Sequence, residues 1–119
     1  MSTPPSDTVS LSDATTWCEN WRNANPNLVK AFLIPTDDLT GVLAENPDKV
    51  RAYLAIKIKQ DGSQEPKLII VGTERQANGD YKDMLPAAPG SRDNGQYIFD
   101  FTTPCPLDCD PTSPLNSNN

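Results

Sequence analysis

Two thiols four positions apart, in Cys105-Pro106-Leu107-Asp108-Cys109, are the most chemically pointed feature of this 119-residue sequence. Such a pair can hold a soft metal ion or close a small ring. A structural zinc site takes four ligands, whereas the sequence offers three cysteines in all, with Cys18 far away along the chain, and no histidine. Asp108 and Asp110 beside the thiols repel the thiolate form that metal binding and redox chemistry need. Cys105 and Cys109 are therefore weak metal candidates, and no cofactor is expected. The stronger expectation is that Pro104, Cys105, Pro106, Leu107 and Cys109 form a proline-fixed segment that packs against protein.

Other chemistry is excluded more firmly. Without histidine there is no His-based triad, no usual zinc enzyme and no common proton shuttle at neutral pH. Asp37 and Asp38 are adjacent, so they cannot face one another as a catalytic carboxylate pair; acids there suit the first turn of a helix. Asp80, Asp83, Asp93 and Asp100 lack the alternate spacing of a calcium loop. No Gly-rich phosphate loop, G-x-S-x-G or H-E-x-x-H occurs. Lys plus Arg number 10 against 16 Asp plus Glu, a net charge of −6, which argues against nucleic acid as a partner. No apolar run approaches the roughly 20 residues of a membrane span. The chain reads as a non-enzyme.

The elements that must position these residues follow from hydrophobic periodicity. Ser10, with Asp13 three residues on, resembles a capping box, and Ala14, Trp17, Cys18 and Trp21 then fall on one helical face. Asn23, Asn25 and Pro26 end that helix. The face reads as core, although two tryptophans on it could also anchor a partner. Leu28–Ile34 reads as a strand ending at Pro35. Thr36-Asp37-Asp38-Leu39 opens a second helix with Leu39, Val42 and Leu43 inward, in which Gly41 costs about 1 kcal/mol.

Val50–Lys59 alternates cleanly. Val50, Ala52, Leu54, Ile56 and Ile58 share one face, and Arg51, Tyr53, Ala55, Lys57 and Lys59 the other. Asp61-Gly62 marks a hairpin loop, and Pro66–Thr73 is the returning strand. Its run Leu68-Ile69-Ile70-Val71 puts two large apolar side chains on each face, so both faces need cover. The two helices can each take one face, the ordinary two-sided burial of apolar strands in a single domain, or share the Leu54 face and leave Tyr53, Ala55, Ile69 and Val71 for a partner. Burying about 400 Å² there would contribute about 10 kcal/mol before association costs. Residues 74–95 are rich in Gly and Pro and long for a loop, and hide a short element near Tyr81–Leu85 or a function. Gln96–Phe101 reads as the last strand. The fold class is α+β: a small antiparallel sheet of three to four strands with two helices and an extended Pro-rich C-terminal tail.

The segments Trp21-Arg22-Asn23-Ala24-Asn25-Pro26, Val29-Lys30-Ala31-Phe32, Val50–Ile56, Lys67–Gly72, Pro104–Cys109 and Pro114-Leu115-Asn116-Ser117 together resemble a family of small proteins from Bacteroidota-type bacteria, of unknown function. The resemblance spans about residues 11–117 and is most specific in its terminal Pro-Cys-Pro-x-x-Cys and Pro-Leu-Asn-Ser. It implies that the Pro-rich tail belongs to the fold's design. It carries over no functional residue.

Composition divides the chain into a flexible tail (1–8), one domain (9–101) and an extended tail (102–119). The N-terminus has neither the basic nor the apolar stretch of a secretory signal, and three cysteines are a poor disulfide framework. The default expectation is therefore a cytoplasmic protein, with export by a dedicated machine or association with a particle left open. The leading functional reading is a non-catalytic interaction or self-assembly protein, its partner a protein and possibly itself as a homo-oligomer. The alternatives are a small acidic immunity or inhibitor protein that masks a basic toxin or enzyme, and a metal or thiol protein using Cys105 and Cys109.

Overall fold

A computed structural model of the chain describes residues 6–106 and 108–117. Helix α1 runs Leu11–Ala24, and its start is as the sequence implies: Ser10 Oγ accepts from the Asp13 amide at 3.0 Å. Strand β1 is Ala31–Leu33 and helix α2 is Thr36–Leu43. The residue capping α2 is Pro35, with no side-chain cap; the acids sit in the first turn, and Asp38 is buried. Strands β2 (Lys49–Ile58) and β3 (Gln64–Arg75) form the expected hairpin, β4 is Tyr81–Asp83 within the long loop, and β5 is Thr103–Cys105.

The class is α+β, but the strands form two antiparallel sheets: β2-β3-β4, and β1 with β5. The division has a local cause. Gln96–Phe101 makes one antiparallel bridge, Phe99 with Ile70, through amide–carbonyl bonds of 2.9 and 3.0 Å. Three residues on, the Thr102 side chain takes over from the backbone. Its Oγ1 accepts from the Leu68 amide at 2.9 Å and donates to the Leu68 carbonyl at 2.8 Å. The main chain is thereby released from β3 and pairs with β1 instead, Phe32 opposite Pro104. Composition placed residues 102–105 in a tail and made them a poor strand; Thr102, Pro104 and Cys105 are instead among the buried residues. Proline fits there because β5 has β1 as its sheet neighbour and lies at an edge.

Helix α2 packs beside β3. Gly41, which weakens the helix by itself, lies where a Cβ would come within 2.5 Å of the Phe99 ring. The glycine is thus a docking notch for the aromatic that bridges to Ile70. Helix α1 differs from expectation: none of its residues is buried, and Trp17 is 60% exposed. It is held by polar ties instead, Trp21 Nε1 to the Val29 carbonyl at 3.0 Å and Arg22 Nη1 to the Leu115 carbonyl at 2.7 Å. Among the described residues no helix is long and apolar enough to cross a membrane.

Two substitutions test this construction by urea denaturation. Thr102→Val keeps the shape but leaves the Leu68 amide and carbonyl without their partner, and should cost about 1–3 kcal/mol. Gly41→Ala, stabilising by about 1 kcal/mol in a free helix, should instead destabilise because the Phe99 ring must move.

Candidate interaction site

Register decides what β2 presents. Ala52 stands opposite Ile70 and Leu54 opposite Leu68. The Ile70 and Leu68 backbones are bonded away from β2, to Phe99 and Thr102. These are therefore the non-hydrogen-bonded pairs of the β2–β3 ladder, and the amides and carbonyls of Ala52 and Leu54 point to the outer edge. By alternation Val50, Ile56 and Ile58 do the same. Strand β2 ends its sheet, and no strand or loop backbone among the described residues bonds to that edge between Val50 and Ile58.

The same five residues carry the apolar face. At the Gly72 end the β3 half of that face is covered, although Val50 opposite stays 43% exposed: a Cβ on Gly72 would lie 2.9 Å from Pro47 Cβ and 3.3 Å from Met84 Sδ, and Ile70 is buried. Further along, the cover stops. Leu54 is 74% exposed, Ile56 60% and Ile58 62%. Leu54, Ile56 and Pro66 form the floor, and Trp21, Leu28 and Phe32 the wall, of an open groove of about 660 Å³.

The opposite face is roofed by polar side chains. Arg51 Nη1 and the Tyr53 hydroxyl both donate to the carboxylate of Asp83 on β4. Arg51 also reaches the Tyr81 carbonyl at 3.2 Å, and Lys49 Nζ sits 4.5 Å from the centre of the Tyr81 ring. The Tyr53 hydroxyl, then Arg51, hold the Asp83 carboxyl below its usual range, and Asp83 in turn raises the Arg51 guanidinium. Glu65 is lowered by its bond to Lys59 and its proximity to Lys67.

Tyr53, Ala55, Ile69 and Val71 do share this face, with Tyr53 opposite Ile69 and Arg51 opposite Val71. They do not form an open apolar patch. Val71 is 1% exposed, Ile69 and Ala55 are half-buried, and the Tyr53 hydroxyl is engaged. Tyr53 is 44% exposed and Val71 buried on this face, and on the other Ile70 is buried while Leu54, Ile56 and Ile58 are exposed, so each face is covered in part and the larger apolar exposure falls on the Leu54 face. The long Arg51 and Lys49 side chains can cover β3 and keep their charges in water, whereas on the other face Trp21 of α1 only borders the groove and leaves Leu54 and Ile56 exposed.

Cys105 and Cys109 are joined as a disulfide, with their Cα atoms 4.9 Å apart, and in that state offer no thiolate to a metal. Among the described residues no group of three or more potential ligands gathers around a metal position. Cys105 and Pro104 are buried inside the fold, Pro106 is exposed and Cys109 half-buried; Leu107 lies outside the described residues. The free Cys18 lines a cavity of about 290 Å³ together with both of them.

No protein-family model, curated protein or solved structure matches this chain. Its function is therefore read from its own geometry.

The Asp83 cluster makes a pH prediction. A carboxyl whose folded pKa lies below its unfolded value contributes stability above the unfolded value, about 4, and loses it as pH falls through the folded one. The urea midpoint should hold level from neutral pH to about 5 and fall below about 4. Asp83→Asn should lower the midpoint at neutral pH, and its gap from wild type should close on acidification.

Proposed function

We propose that this chain is a non-catalytic protein-interaction module that self-assembles, its contact surface the outer edge and uncovered face of β2. The observation that carries this reading is the row Leu54, Ile56 and Ile58, large apolar side chains left more than half exposed on a regular strand. Contiguous exposed apolar surface on a folded chain marks a place where protein or another apolar partner binds.

The surface area supports it. A folded chain of 13.0 kDa is expected to expose about 6,300 Å², and this one exposes 8973 Å². Its radius of gyration is 17.3 Å, against about 13.5 Å for a compact chain of this length. The surplus, about 2,700 Å², is spread over the whole chain, and an ordinary stable interface of about 800 Å² per partner would take up only part of it. The acidic-inhibitor reading gains less, because masking a basic enzyme calls for an acidic contact face, and the uncovered strand carries Lys57 and Lys59. A metal or thiol role would need the Cys105–Cys109 bond opened first.

Multi-angle light scattering at tens of micromolar tests the proposal. The expected mass is at least twice the 13.0 kDa of one chain, and Leu54→Asp should return it to one chain with an unchanged circular dichroism spectrum, since Leu54 supports little of the core. A wild-type chain that stays monomeric across the concentration range would end this reading.

A further inference from the structure

We infer that the assembly is built by β2 pairing antiparallel with β2 of a second copy, on a two-fold axis at Ile56, so that two three-stranded sheets become one of six strands. This rests on the self-assembly reading above and adds the partner, the edge and the register.

The edge is suited to its own copy. It is the outer side of a ten-residue strand, and its outward amides and carbonyls belong to Val50, Ala52, Leu54, Ile56 and Ile58. Two identical edges related by a two-fold axis match donor to acceptor at every second residue. A long apolar edge is normally guarded by charge, but two of the basic groups along this one are neutralised within the chain. Arg51 is paired with Asp83, and Lys59 Nζ with Glu65 at 3.2 Å.

Charge and apolar contact together select the register. Like charges directly opposite are destabilising. An axis at Leu54 sets Arg51 against Lys57 of the copy twice over; one at Tyr53 does the same with Lys49 and Lys57, and one at Ala55 with Arg51 and Lys59. An axis at Ala52 avoids this but leaves Ile56 and Ile58 beyond the paired stretch. An axis at Ile56 sets Ile56 against itself, Leu54 against Ile58, Ala55 against Lys57 and Tyr53 against Lys59; it pairs Leu54–Ile58 and leaves Val50 and Ala52, the less apolar end of the edge, beyond the paired stretch. No like charges then meet, and the three most exposed large apolar side chains of β2 become one continuous apolar row across both copies. The Trp21–Leu28–Phe32 wall on each copy borders that row.

A cysteine scan of the full chain in a Cys18→Ser background reads this register. Opposed Cα atoms in a hydrogen-bonded pair lie about 5.5 Å apart, within disulfide reach. Ile56→Cys should give a cross-linked dimer in high yield under mild oxidation. Ala52→Cys, Leu54→Cys and Ile58→Cys, each alone, should give little, since their copies lie several residues away. Amide hydrogen exchange provides a second readout on the unmodified chain: Leu54, Ile56 and Ile58 should gain protection as concentration rises through the dimerisation range, by tenfold or more. Cross-linking that peaks at another position, or a dimer whose Leu54, Ile56 and Ile58 amides stay unprotected, overturns the strand pairing and leaves self-assembly standing. A chain that is monomeric throughout removes both.

Discussion

Strand β3 is hydrogen-bonded along both edges, and the rest of the structure is arranged around that fact. One edge carries the whole of β2. The other is shared by three segments in turn: β4 opposite Thr73–Arg75, Phe99 at Ile70, and the Thr102 hydroxyl at Leu68. A strand interior cannot leave its amides and carbonyls without partners, so the second edge draws in segments that lack the length to form strands of their own. The buried residues cluster accordingly: Ile70, Val71, Thr73 and Thr102 lie on or beside β3, with Val42 on the helix packed against it. The outer edge of β2 is where this propagation stops, because among the described residues no strand pairs with it.

Much of this was legible in the residues. Period-2 alternation located β2 and β3, and Asp61-Gly62 the turn between them. The capping serine and the Ala14–Trp17–Cys18–Trp21 spacing located α1, and the loop suspected of hiding an element near Tyr81 contains β4. Periodicity states which residues share a face, however, not which face is covered. Leu54, Ile56 and Ile58 look like core because they are the most apolar set. Pro47 and Met84 lie against Gly72 and Ile70 is buried, but Leu54, Ile56 and Ile58 further along the strand stay exposed. The mirror case is Val71, covered on a face whose pattern includes Arg51, Lys57 and Lys59.

The C-terminal segment was illegible for a different reason. Proline content argues against regular structure, and that argument holds for long elements. It does not hold for a three-residue edge strand, where Pro104 needs to donate nothing to a sheet, nor for Thr102, whose value lies in a hydroxyl that both donates and accepts. Two cysteines four apart suit a metal or a ring equally by spacing, and the structure joins Cys105 to Cys109 as a disulfide. Gly41 likewise reads as a flaw in α2 until Phe99 is seen to occupy the space its missing side chain leaves. Local rules failed where a distant residue imposed the constraint, which is where tertiary contacts override propensity.

The ring that Cys105 and Cys109 close makes the chain's chemical surroundings part of its architecture. In an oxidising compartment the bond persists and the segment following β5 is fastened in a short loop. In a reducing one the same cavity would be lined by three sulfhydryls, from Cys18, Cys105 and Cys109, and the polypeptide beyond β5 would keep its place through the Lys30–Cys105 backbone bond and the reach of Arg22 and Lys30 to the carbonyls of Leu115 and Asn116. The electron balance of the environment thus sets how many covalent and how many polar fastenings secure the end of this molecule.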